Sequence, residues 1–288
     1  MENLSKVNIH REEYTKTLEL NIDIQPYFLD HQFENKPVLP AVEAMQILSR
    51  AVFPYLENKD INCIANAEFP RFLPIPFNEK TIPVFINIDL HKKGSIKAVL
   101  ITQTLSKKMK IRRMKEHVSL EFLTCDNNID KSFQIHPIKE KYFEIPAQRI
   151  YKELIPFGPA YHNIHDKLKI TENQAEAFVY AGDFASDYSP AGSPFPLDAA
   201  FHAACVWGQR YAGIVAFPIG LDKRHIIKPA QPGNTYTARI KPVSQKSSLL
   251  IFDIEIYNLQ DNLCESTSGV KMKDVSSGRL RPPDWVCM

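Results

Sequence analysis

The run from Leu197 to about Ala212 reads as a helix in which Ala199, Ala200, Ala203 and Ala204 occupy positions that most helices fill with larger side chains. Small side chains let a curved sheet approach the helix backbone, whereas a helix lying on an open sheet usually carries bulkier residues. The segments on either side are strand-like. Asn163 to Ile170 and Gln174 to Tyr180 precede the helix, and Ile214 to Ile227, Thr235 to Pro242, Ser248 to Asn258 and Leu263 to Val275 follow it. A short helix from Ala147 to Leu154 and the turn Phe157-Gly158-Pro159 open this half. The pattern predicts an antiparallel sheet wrapped around one helix.

The first half follows the same plan. Leu18, Leu20, Ile22 and Ile24 alternate as in a strand. Val42, Met45, Leu48, Val52 and Leu56 recur at helical spacing, and Pro54 ends or bends that helix. Four strand-like runs come next, Ile61 to Ile75, Thr81 to His91, Ser95 to Leu105 and His117 to Leu123, separated by turn signals such as Lys93-Gly94 and Asp126-Asn127-Asn128. The expected class is α+β, with one helix-and-sheet unit at 1–135 and another at 136–288. The boundary falls in the polar stretch between Asp126 and Lys141. Ser276 to Met288 is the one stretch that reads as a loose tail.

Composition narrows the function. A net charge of +2 gives no reason to expect a nucleic acid partner, and no run of about 18 apolar residues is present to span a membrane. The N-terminus lacks the apolar core of a signal peptide. The five cysteines are scattered and odd in number, so neither a disulfide framework nor a zinc site is expected. A reduced cytoplasm is the expected compartment.

Two residues carry the chemistry. His31 sits on a short loop between a strand and a helix, beside Asp30 and followed by Pro37 and Pro40. Most loop histidines are hydrogen-bonded structural residues. Here, however, the coming helix N-terminus offers free N–H groups able to polarise a carbonyl oxygen, which makes a neutral imidazole a candidate general base. Asp198 begins the second helix with His202 one turn on. An Asp at this position is often only a helix cap. Among Phe195, Leu197, Ala199 and Phe201 its carboxyl would be stripped of water, and a carboxylic acid held protonated can protonate a leaving hydroxyl. His31 as base and Asp198 as acid, on opposite sides of one substrate, would make an elimination site. Glu43 is an alternative acid with no evident pairing to His31.

The residues from His31 to Pro40 match the HxxxGxxxxP motif of polyketide synthase dehydratase domains, with Asn35 at the glycine; Asn tolerates positive φ better than most residues. Phe157-Gly158-Pro159-Ala160-Tyr161 is similar to that family's YGPxF motif, Leu197 to His202 looks like its DxxxQ/H motif, and Phe217-Pro218-Ile219-Gly220 resembles its LPFxW strand. The four occur in the family's order. The resemblance implies a double hot-dog fold with the site between the halves, and a 3-hydroxyacyl chain carried on the phosphopantetheine of an acyl carrier protein, alongside ketosynthase-type partners. The expected reaction forms a 2-enoyl thioester and water, with no metal or redox cofactor. Backbone N–H groups near Val42 or Gly158 would stabilise the enolate, with Pro40, Tyr161 and His202 supporting the site. Phe157 lacks a hydroxyl at the first aromatic position, which leaves Tyr161 as its possible replacement. Edge-to-edge pairing of such sheets makes a homodimer one expected assembly.

The basic run Lys107, Lys108, Lys110, Arg112, Arg113 and Lys115 is either a solvated strand end or a docking patch for an acidic carrier, with Arg224 and His225 as weaker candidates. Two other readings stay open: a product-template-like cyclase or dehydrating isomerase using the same pair, and a non-catalytic acyl-binding module.

Overall fold

The alternating residues Leu18, Leu20 and Ile22 lie in β1 (Tyr14–Asp23), the first strand of a computed structural model that describes residues 14–56, 60–91, 94–105, 112–123, 134–183, 189–246 and 248–287. A small hairpin follows, β2 (Gln32–Phe33) and β3 (Lys36–Pro37), and then helix α1 (Ala41–Val52). The first half continues with β4 (Cys63–Glu68), β5 (Thr81–Leu90), β6 (Ile96–Leu105) and β7 (Arg112–Phe122). The second half begins with β8 (Phe143–Pro146), the helical turn α2 (Ala147–Arg149), β9 (Ile164–Ile170) and β10 (Ala175–Tyr180). Helix α3 (Phe195–Trp207) precedes β11 (Phe217–Ile226), β12 (Thr235–Lys246), β13 (Leu249–Tyr257) and β14 (Leu263–Lys273), and a turn, α4 (Asp284–Cys287), is the last described element.

Among the described residues twelve strands form one antiparallel sheet in the order β1-β5-β6-β7-β4-β11-β14-β13-β12-β10-β9-β8. Its first five members come from the first half and its last seven from the second. The halves join where β4 pairs with β11, with Leu221 opposite Ala67 and Arg224 opposite Ile64. Gly220 permits this seam, since a Cβ there would stand 2.5 Å from the Ala67 carbonyl oxygen.

Each half of the sheet closes on its own helix. Val42, Met45, Leu48 and Val52 of α1 are buried against β5, β6 and β7. Every residue of α3 is buried, and Ala199, Ala200, Ala203 and Ala204 are fully enclosed, as the small-residue pattern predicts. Pro54 lies in a 3₁₀ turn (Phe53–Tyr55) that finishes α1.

Several elements differ from expectation. The run Ile61 to Ile75 is a strand only to Glu68, because Pro70 and Pro74 cannot donate to a ladder. Strand β7 starts at Arg112, so the described part of the basic run is strand. Residues 276–287 are folded rather than loose: Asp274 accepts hydrogen bonds from the Ser276 and Gly278 N–H groups, and Arg279 pairs with Glu34 at 2.7 Å. Cys63 is disulfide-bonded, against the expectation of unpaired thiols, while Cys205, Cys264 and Cys287 are free. Among the described residues no helix is long and apolar enough to cross a membrane.

Ile135 is tied to the second half. Its N–H donates to Glu255 at 2.6 Å, and its carbonyl accepts from Arg239 and Tyr257, each at 3.3 Å. A division of the chain between 135 and 136 is our proposal, with this anchor beside it.

Candidate active site

A one-turn 3₁₀ helix, Pro26–Asp30, delivers His31, whose N–H donates to the Phe28 carbonyl at 3.2 Å. The β2–β3 hairpin then reverses the chain through Glu34 and Asn35, at φ of 49° and 60°, so Asn35 does take the left-handed conformation that a glycine would supply. The hairpin returns Val38 to His31, with Val38 N–H bonding the His31 carbonyl at 3.0 Å. His31 Nδ1 lies 3.1 Å from the Val38 carbonyl oxygen. A carbonyl can only accept, so Nδ1 carries the proton and Nε2 keeps its lone pair. The ring is flanked by Phe157 and Tyr161, at centroid distances of 4.3 and 5.2 Å. Burial pushes His31 down to about 4, against the pull of nearby Asp198, and the imidazole is therefore neutral near pH 7.

Asp30 locks this loop to the second half. Its backbone carbonyl accepts the Gly158 N–H at 2.7 Å and its carboxylate accepts the Ala160 N–H at 2.9 Å. Gly158 is required because a Cβ there would run into the Asp30 side chain. The same bond commits the Gly158 N–H and removes it as a donor to substrate, correcting one of the two oxyanion candidates. Val42 keeps its candidacy: the first backbone bond of α1 runs from the Ala44 N–H to the Pro40 carbonyl at 3.0 Å, two residues after Val42.

Asp198 lies inside the first turn of α3 and makes no cap bond. It is 4% exposed and His202 is 5% exposed. Asp198 Oδ2 and His202 Nε2 are 3.0 Å apart, but not on a hydrogen-bonding line, and neither atom has another partner among the described residues. The Phe157 ring packs against both histidines, with its centroid 4.3 Å from His31 and 5.2 Å from His202.

His31, Asp198, His202 and Phe157 all line one cavity of about 920 Å³ between the halves, together with Phe217 to Gly220. Gly158, Pro40, Val42 and Tyr161 are not among the residues that line it. Tyr161 is fully buried and its hydroxyl has no partner among the described residues, so it does not restore at the cavity the hydroxyl that Phe157 lacks. Glu43 is buried on α1, takes a 3.2 Å hydrogen bond from Tyr27, and does not line the cavity.

The cavity also shows residues that the linear pattern did not single out. His117 lines it with both ring nitrogens engaged, by Thr102 at 2.8 Å and the Phe72 carbonyl at 3.1 Å, and burial lowers its pKa. Arg71, Lys271, Lys273 and Arg281 line the cavity too. Lys271 pairs with Asp222 at 2.6 Å, while the other three have no ion pair among the described residues. Arg112 and Arg113 are exposed at the start of β7; Lys107, Lys108 and Lys110 lie outside the described residues. Arg224 is not a docking residue. It is 1% exposed and holds Glu265 through two bonds of 2.9 and 2.8 Å.

Comparison with known proteins bears on the fold that carries this cavity. Residues 147–282 match the family model described as polyketide synthase dehydratase N-terminal domain. Among curated proteins, none matches the sequence. A monomeric dehydratase domain from a trans-AT polyketide synthase split module superposes with a TM-score of 0.73 at 13% identity, covering 90% of this chain and 99% of that one. The dehydratase domain of PpsC from Mycobacterium tuberculosis, in complex with C12:1-CoA, gives 0.68 at 14%, covering 90% and 93%. A trans-acyltransferase polyketide synthase enoyl-isomerase gives 0.65 at 14%, covering 90% and 100%. The fold of this chain is the double hot-dog fold of these domains.

Proposed function

From a chain whose second half matches the polyketide synthase dehydratase model and whose whole length carries that family's fold, we propose a dehydratase that removes water from 3-hydroxyacyl thioesters borne on an acyl carrier protein. The observation that carries the reading is one cavity receiving a neutral histidine with a free Nε2 from the first half and a buried acid from the second.

In this mechanism the thioester acidifies the C2 proton, and His31 Nε2 removes it. The electron pair moves onto the thioester oxygen as an enolate, beside the N-terminus of α1 at Ala41 and Val42, where backbone N–H groups are free of helical bonds. The pair then returns to form the C2–C3 double bond as the C3–O bond breaks. Asp198 gives its proton to the departing oxygen, which leaves as water. Transfer of the proton from His31 back to Asp198 completes the cycle. The reading needs no metal or redox cofactor of this chain, because the carrier's pantetheine brings the substrate.

In this reading Arg71, Lys273 and Arg281, which line the cavity, would meet the pantetheine phosphate, and Arg112 and Arg113 at the start of β7 would add to the docking patch for the carrier. Reversing the charge at Arg71 or Arg281 should raise KM for carrier-bound substrate more than for a phosphate-free pantetheine mimic. Equal effects on both would remove the docking assignment.

Product analysis tests the activity. A 3-hydroxyacyl-pantetheine should yield the enoyl thioester with loss of one water by mass. A ring formed without water loss would replace the reading with a cyclase, and tight binding without turnover would replace it with an acyl-binding module.

A further inference from the structure

Tyr151 lies behind His202 on the π-helical turn Ile150–Leu154 and is not part of the cavity wall. It is 5% exposed, and its ring stacks on His162 at 4.3 Å. The Ile164 N–H donates to its oxygen at 2.8 Å. A phenol oxygen offers two lone pairs and one proton. With Ile164 holding one lone pair, the phenol still has its proton to give, and burial raises its pKa so that the proton stays on it. Among the described residues the acceptor in reach is His202 Nδ1, at 3.4 Å. A neutral imidazole that accepts at Nδ1 carries its hydrogen on Nε2, the atom 3.0 Å from Asp198 Oδ2.

We infer that Tyr151 is a positioning residue that holds His202 in its Nε2–H tautomer, so that His202 donates to Asp198 Oδ2 and leaves the acid's proton on Oδ1 for the substrate hydroxyl. In the opposite tautomer Nε2 would present a lone pair to the carboxyl and draw the proton onto Oδ2, away from the reaction. Once Asp198 has given up its proton, the same Nε2–H stabilises the carboxylate. The contact is out of line in the free chain, as catalytic hydrogen bonds commonly are before substrate tightens them.

The kinetic consequence rests on the dehydratase reading; the tautomer does not. Long-range proton–nitrogen NMR on the ¹⁵N-labelled full chain, with His202 assigned by comparison with His202→Gln, should show Nε2–H in the unaltered protein and a shift toward Nδ1–H in Tyr151→Phe. Finding Nδ1–H in the unaltered protein overturns the inference, including where Tyr151→Phe does not fold. In turnover, Tyr151→Phe should lower kcat about 10- to 100-fold, within the range of general acid catalysis, with KM changed less than about twofold. Glutamine donates its amide hydrogen without a tautomer to choose. In the His202→Gln background the Tyr151 substitution should therefore cost less than about twofold. An equal loss in both backgrounds would make Tyr151 merely structural. Absence of any water loss from the unaltered protein would instead refute the proposed function and leave the tautomer to the spectrum.

Discussion

Glu43 offers a test of the electrostatics of the core beneath the site. It lies on the first turn of α1 at 3% exposure, and burial pushes its carboxyl from an ordinary 4.5 up to about 7, with the Tyr27 hydrogen bond and Arg50 acting in the other direction. The folded chain therefore keeps a proton that the unfolded chain has released. Its contribution to stability is fully present below pH 4.5 and is lost as pH rises through about 7. A rise of that size corresponds to roughly 3 kcal/mol as a ceiling. Glu43→Gln keeps an oxygen for the Tyr27 hydroxyl and cannot ionise. Near pH 4 the two proteins should be equally stable within about 0.5 kcal/mol. Near pH 8 the variant should be more stable by about 2–3 kcal/mol, raising Tm by roughly 5–10 °C. Thermal unfolding of both proteins across this pH range measures the gap. A gap that does not widen with pH would show that Glu43 is not held protonated by burial.

Gly158→Ala should cost about 1–3 kcal/mol and slow turnover, because its Cβ would press on Asp30 and shift the loop holding His31. Chemical denaturation and kcat should fall together. Arg224→Met leaves Glu265 buried without its partner and should cost about 3–5 kcal/mol, whereas adding Glu265→Leu should recover most of that loss in the same assay. Because burial holds His31 near 4, kcat/KM should fall on the acid side only as pH approaches about 4, where the base becomes protonated. An acid limb centred near 6.5 would mean that the ring is solvated.

Local chemistry was legible along the chain where neighbours in sequence are neighbours in space. The His31 loop is closed by bonds to Phe28 and Val38, Asn35 takes the left-handed turn its residue type allows, and Asp198 meets His202 one helical turn away. The alanines of α3 announced a wrapped sheet for a steric reason that needs no partner. Other parts depend on contacts across long stretches of chain. Asp30 reaches Ala160, 130 residues on, and Tyr151 reaches His202 across 51. Arg224 resembled a surface cation beside His225 until Glu265, 41 residues later, enclosed it. Tyr161 was at the right place in the motif, yet its ring packs on His31 and it does not line the cavity. Spacing gives a residue its position along the chain, but packing decides which way the side chain faces.

The central claim is that His31 and Asp198 together eliminate water. Single-turnover formation of the enoyl thioester from a 3-hydroxyacyl-pantetheine, compared among the unaltered protein, His31→Ala and Asp198→Asn, tests it most directly. Each substitution should slow the step by at least about 100-fold, and the double variant should be little slower than either alone. A rate unchanged by either substitution would contradict the assignment of base and acid.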